Sequence, residues 1–205
     1  NEMTVKAGGV QWTTAGRGII HAEAPTKEFV KRGGDLEGIQ LWLNLPAKYK
    51  MMTPNYQHLE DEQIPKLFYE DKKVQLNIVA GHQKEVLGNI TTQTEVNVFT
   101  AIAQEKGKIE IDIPKHHKSL IYLLEGEIVV NAKQVLKKGD HQMVTFNTDG
   151  DLIEFEATEK STLLILSGAP INEKVAQYGP YVMNTQTEIL EAMRDFQQGK
   201  MGYLY

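Results

Sequence analysis

The residues most suited to chemistry in this chain gather in one phrase, Gln11-Trp12-Thr13-Thr14-Ala15-Gly16-Arg17-Gly18-Ile19-Ile20-His21-Ala22-Glu23. Its glycines let the backbone turn sharply. His21 and Glu23 follow at i and i+2, so on a strand their side chains leave the same face. An imidazole beside a carboxylate is a ligand pair for iron, manganese, nickel, copper or zinc. By spacing alone, a His and a Glu on a strand are more often surface or hydrogen-bonded residues than ligands, and both readings stand at this level. Arg17 is a candidate contact for an anionic ligand beside such a metal. The Gly16-Arg17-Gly18 turn itself is too short and wrongly placed for a nucleotide fingerprint, and reads as a connection between strands.

Other chemistries find less support. There are no cysteines, which removes disulfides, thiolate metal sites and cysteine nucleophiles. No glycine-rich phosphate loop precedes a helix, and there is no Gly-x-Ser-x-Gly. His116 and His117 are adjacent, and neighbouring side chains on a strand point to opposite faces. They read as a surface or loop pair beside Lys115 and Lys118. His58, His82 and His141 stand alone and receive no role.

The elements that must position His21 and Glu23 are strands. Val74-x-Leu76-x-Ile78, Val96-x-Val98, Ile109-x-Ile111-x-Ile113, Ile121 to Leu124, Ile128 to Val130 and Leu152-x-x-Phe155 alternate with period 2, between Gly, Asp, Asn and Pro punctuation. Short strands at this spacing predict an antiparallel, all-β sandwich or barrel. One helix is expected, over about 186–198. Thr185 and Glu188 form a capping box, Ile189, Leu190, Met193 and Phe196 supply an apolar face to pack on the barrel, and Gly199 is the stop. Residues 46–63, with Pro46, Pro54 and Pro65 at hand and a Glu60-Asp61-Glu62 run, read as a linker between two β units.

At 205 residues, 41% hydrophobic and 24% charged, the chain can bury a sizeable core. Its net charge of −5 argues against a basic nucleic-acid face. No apolar run approaches the roughly 20 residues of a membrane span, and Asn1 to Lys6 lacks the blocks of a secretory signal, so a cytoplasmic protein with no membrane partner is expected.

A short internal repeat gives a register. Val5-Lys6-Ala7-Gly8-Gly9-Val10-Gln11-Trp12 aligns with Leu136-Lys137-Lys138-Gly139-Asp140-His141-Gln142-Met143. The strand and tight turn Tyr122-Leu123-Leu124-Glu125-Gly126-Glu127 sets Gly126 13 residues ahead of Gly139. The same offset from Gly8 falls before Asn1, so the chain is expected to carry only the second half of its first barrel, with apolar faces and strand edges left open.

These phrases, taken together, resemble the pirin family of two-cupin proteins. The segment ending in His21 and Glu23 resembles the family's metal-binding segment, and Gly38-Ile39-Gln40-Leu41-Trp42-Leu43-Asn44-Leu45-Pro46 its exit from the first cupin. Tyr122 to Glu127 with Gly139-Asp140 resembles the second cupin. Gly168-Ala169-Pro170, Tyr178-Gly179-Pro180-Tyr181-Val182-Met183-Asn184-Thr185 and Glu188-Ile189 resemble the C-terminal signature. The resemblance implies a bicupin of double-stranded β-helix barrels: residues 1–45 as the C-terminal half of the metal-binding cupin, 64–170 as the second cupin, and 171–205 as a tail with the helix.

The family's metal is held in the first cupin by three histidines and a glutamate, and the resemblance places His21 and Glu23 among them. A His-x-His strand supplies the other two ligands, and this sequence has no His-x-His. The repeat, counted from His116, puts that strand about 15 residues ahead of Asn1. The second cupin is expected to be metal-free. The implied cofactor is one divalent metal ion, iron first, with nickel, manganese, copper or zinc as alternatives. The implied activity is a quercetin 2,3-dioxygenase-type ring opening of a flavonol-like small molecule, with Glu23 as ligand and general base. The alternative is an iron-dependent, redox-sensing regulator that binds transcription factors or other protein partners. Without the His-x-His strand, this chain alone is expected to be inactive.

Overall fold

The computed structural model describes residues 3–140 and 142–203, so that His141 lies outside the described residues. In chain order the elements are β1 (Val10–Thr14), α1 (Lys27–Arg32), α2 (Ala47–Lys50), β2 (Asn55–Leu59), a 3-10 turn (Asp61–Gln63), β3 (Lys66–Tyr69), β4 (Val74–Ala80), β5 (His82–Gln83), β6 (Val86–Leu87) and β7 (Val96–Ala103). There follow β8 (Lys108–Asp112), β9 (Lys118–Glu125), β10 (Glu127–Val130), β11 (Gln134–Lys137), β12 (Met143–Phe146), β13 (Leu152–Ala157), β14 (Ser161–Gly168), β15 (Ala176–Tyr178), β16 (Tyr181–Met183) and α3 (Gln186–Gln197). Every period-2 phrase named above lies in one of these strands, except that Ile113 falls one residue past the end of β8, as the all-β reading requires.

The chain divides into two compact units. The larger, residues 6–10 and 58–170, holds two antiparallel sheets, ordered β11-β10-β13-β8 and β12-β9-β14-β7-β4-β3. Strand parity decides what fills it. Phe99, Ala101 and Ala103 on β7, Ile121 and Leu123 on β9, and Leu163 and Ile165 on β14 are all fully buried in one core. Ile109 and Ile111 on β8 and Ile153, Phe155 and Ala157 on β13 complete it from the four-stranded sheet. Alternate residues point outward, as a sheet with one dry face demands.

Between β9 and β10 the chain passes from the six-stranded to the four-stranded sheet at Gly126, with φ +88°. A Cβ there would meet the Ser161 Oγ at 2.3 Å, so both the dihedral and the neighbour require glycine.

The repeat register recurs in the backbone. Gly9 N donates to Lys6 O at 2.9 Å, and Asp140 N donates to Lys137 O at 3.2 Å. The central glycines, Gly8 and Gly139, are both left-handed, at φ +79° and +83°.

The smaller unit comprises residues 1–5, 11–57 and 171–205. Its helices differ from the single helix expected, because α1 and α2 are present as well. α1 has six residues, none buried, and is started by Thr26, whose Oγ1 accepts from Phe29 N at 3.1 Å. α2 is one turn behind Pro46. Neither is long enough to show the periodicity from which a helix is read.

α3 starts at the expected capping box, in which Thr185 Oγ1 accepts from Glu188 N and Glu188 Oε2 accepts from Thr185 N. It lies against β15 and β16. Ile189 is its buried residue, whereas Leu190, one position off that stripe, is 67% exposed. Ile39, Leu41, Trp42 and Leu43 are exposed as well, in a stretch without helix or strand.

Candidate metal centre

His21 and Glu23 follow the turn at Gly16. A Cβ on Gly16 would lie 2.2 Å from Met52 O, and Arg17 N donates to that same carbonyl at 3.0 Å, which fixes where the chain leaves β1. His21 Nδ1 then lies 3.6 Å from Glu23 Oε1, with the side chains 52% and 58% exposed. Gln40 Nε2 donates to Glu23 Oε2 at 3.3 Å.

The pair is together, but residues 18–26 form no strand, because no described strand runs beside them to complete a ladder. With metal bonds of about 2.0–2.2 Å, neighbouring ligand atoms stand about 3.0–3.5 Å apart, so the two donors fit one divalent cation after a small adjustment. Each supplies one donor, an imidazole nitrogen and a carboxylate oxygen.

A second arrangement was not read from the sequence as a site. Glu95, His116 and His117 bring three ligand atoms within 4.8 Å of one another, the three-ligand group found among the described residues. His116 Nε2 is 2.8 Å and His117 Nε2 3.7 Å from the same Glu95 Oε2. His117 is 4% exposed, so the surface-pair reading fails for it.

The cause is local. Lys118 opens β9, and the turn closed by His117 N donating to Pro114 O at 2.8 Å precedes it. His117 continues the inward parity of Ser119, Ile121 and Leu123, while the turn leaves His116 exposed and folds it back onto Glu95. Opposite faces hold for two residues within a strand, not for a turn residue next to a strand entry.

β14 supplies the reason that Glu95 is near. Gly168 pairs with Val96 of β7 and with Lys118 of β9, so the entries of those two strands stand level across β14.

Behind the histidine, His117 Nδ1 lies 3.1 Å from Ser167 Oγ. Asn97 Nδ2 donates to that oxygen at 3.1 Å, and Asn97 Oδ1 accepts from His82 N at 3.1 Å. His117 Nε2 is buried with no hydrogen-bond partner. Burial, and then the neighbouring His116, push the His117 imidazole below its ordinary 6.5. The hydrogen bond to His116 holds the Glu95 carboxyl below the usual carboxylate range.

Antiparallel sheets closing over one apolar core, with imidazole and carboxylate donors gathered at loop and strand entries, define an all-β cupin-type protein with candidate metal ligands. The Pirin C-terminal cupin domain family matches residues 98–202, and the Pirin family matches residues 1–43. This chain belongs to the pirin family.

It is 35% identical to a Pseudomonas aeruginosa protein provisionally named as a quercetin 2,3-dioxygenase, over 94% of this chain and 66% of that one. It is 35% identical to Pirin-1 of Arabidopsis thaliana, over 98% of this chain and 68% of that protein. The crystal structure of quercetin 2,3-dioxygenase from Acinetobacter baumannii superposes with a TM-score of 0.92 at 37% identity, covering 98% of this chain and 69% of that chain. The chain thus spans about two thirds of the length of these relatives. No described helix is long and apolar enough to cross a membrane.

Proposed function

We propose that His21 and Glu23 are metal ligands of a pirin-type dioxygenase, acting on a flavonol-like substrate of the quercetin class. The observation that carries this reading is the 3.6 Å approach of His21 Nδ1 to Glu23 Oε1 in the segment shaped by Gly16. The similarity to the quercetin 2,3-dioxygenase of A. baumannii supports the reaction class. A bound iron ion would supply a site for the flavonol oxygen and for dioxygen chemistry at the heterocycle.

The residues of this chain do the rest. His21 would present a ring nitrogen to the ion. Glu23 would offer one carboxylate oxygen as ligand and the other as base for the substrate hydroxyl proton, for which it would have to stand within about 2.6–3.2 Å of that oxygen. Gln40, donating to Glu23 Oε2, fixes the carboxylate plane. Two protein donors leave an ion largely to water, so retention by this chain is weak unless a His-x-His strand joins them.

The test is iron content by elemental analysis together with quercetin consumption, on the full-length protein, as wild type, His21→Ala and Glu23→Gln. A drop in iron content of at least about tenfold in both variants is the expected result. Undiminished iron in both overturns the assignment. Quercetin consumption by the purified protein supports the enzyme; redox-dependent capture of a protein partner without consumption moves the function to regulation, for which a chain of net charge −5 suits a protein partner better than DNA.

A further inference from the structure

We propose that Glu95, His116 and His117 form a second metal site, in the larger unit, that takes a divalent first-row ion of the zinc or cobalt type. This site is independent of the reading given to His21 and Glu23. Its ligand set is two imidazoles and one carboxylate, a borderline-soft set that suits zinc, cobalt and nickel and disfavours magnesium and calcium.

The distances around Glu95 Oε2, 2.8 and 3.7 Å to the two ring nitrogens, bracket the roughly 3.0–3.5 Å between neighbouring ligand atoms of one ion. A hydrogen bond satisfies only part of the cluster. His116 has Glu95, but His117 Nε2 is too far from that oxygen for a hydrogen bond and is buried without a partner. An orphaned ring nitrogen on a side chain this deeply buried, aimed at a carboxylate and a second imidazole, is a metal ligand's position.

The surroundings are those of a ligating histidine. The opposite ring nitrogen, Nδ1, is held by Ser167 Oγ, itself held by Asn97, so the ring plane and the free Nε2 are fixed from behind. His116 and Glu95 are exposed, so the ion enters from solvent and keeps water in its remaining positions.

The probe is Co(II), read by its visible d–d absorption on the tag-free chain, with Zn(II) as the displacing ion. Four proteins are compared: wild type, His21→Ala/Glu23→Gln, Glu95→Gln/His116→Ala, and Ser167→Ala. The second pair lies on exposed side chains, so folding is preserved, and circular dichroism checks it. The expected result is about one equivalent of bound Co(II) that survives His21→Ala/Glu23→Gln and is lost in Glu95→Gln/His116→Ala, with Ser167→Ala binding about 10-fold more weakly. Co(II) uptake unchanged in Glu95→Gln/His116→Ala overturns the proposal, and so does uptake that disappears entirely with His21→Ala/Glu23→Gln. Loss of the His21 and Glu23 function leaves the first result intact, so the two readings fail separately.

Discussion

His117 Nδ1 and Ser167 Oγ stand 3.1 Å apart, both on buried residues, at the level where β9 and β14 leave the apolar core. Ser167 pairs with both Ser119 and Asn97 across its sheet. The hydroxyl of β14 therefore joins a polar group of β7 to one in the turn before β9, at the edge of the apolar core. Ser167→Ala leaves His117 Nδ1 and Asn97 Nδ2 without that oxygen, and a buried group stripped of its partner costs about 1–3 kcal/mol. Urea unfolding should show a loss in that range, and a variant as stable as the wild type would refute the network.

Lys50 makes a pH prediction. Its ammonium is buried and donates to Asn44 Oδ1 at 2.6 Å and to Val182 O at 3.0 Å. Burial pushes its pKa below 10.5, against the opposing pull of Glu173 and Glu188. The unfolded chain thus holds this proton more tightly than the folded one, so stability rises with pH between the lowered value and 10.5. Below that window the contribution is a constant penalty. Unfolding free energies of wild type and Lys50→Met, compared from about pH 7 to 10.5, should shift in favour of the wild type as pH rises. A pH-independent difference would contradict the burial of this charge.

Phe99 is fully buried between the β4 and β14 neighbours of its strand. Phe99→Ala should cost about 3–5 kcal/mol, from lost transfer energy and the cavity together. Chemical denaturation measures it, and a cost under about 1 kcal/mol would mean that the core collapses around the gap.

Thr185→Ala removes the N-cap of α3 and should cost about 1 kcal/mol, whereas Thr185→Ser should be nearly neutral. The Glu188 Oε2 loses one of its three donors in the alanine variant, since Asn184 N, Thr185 N and Thr185 Oγ1 all point to it. Thermal unfolding followed at 222 nm compares the two variants. Equal losses in both would place the stabilisation elsewhere.

The strands were legible because a half-buried pleat writes itself into the sequence at period 2, as β4, β8 and β13 show in their alternating burial. The cap of α3 was legible because it is closed within four residues, and the Gly8 and Gly139 turns because a left-handed residue selects glycine. The short helices α1 and α2 were not, for want of length.

The Glu95 cluster was hidden for a different reason. Its carboxylate lies 21 residues before His116, and nothing local links them. They meet only because β14, arriving much later in the chain, sets the entries of β7 and β9 level. A motif search sees spacing along the chain; this site exists in strand register. The one clue was a pair of histidines directly before a strand, where parity sends one of them inward.

The central place of β14 also orders events in time. It separates β7 from β9 in the six-stranded sheet, although both precede it in sequence. During synthesis, the strands Val96–Ala103 and Lys118–Glu125 therefore emerge with apolar faces made and no native partner between them. Only when Ser161–Gly168 leaves the ribosome can the sheet close, and pairing at such sequence separation is slow. Until then the nascent chain shows two unpaired edges to its surroundings, the condition under which chaperone capture and intermolecular strand exchange compete with folding.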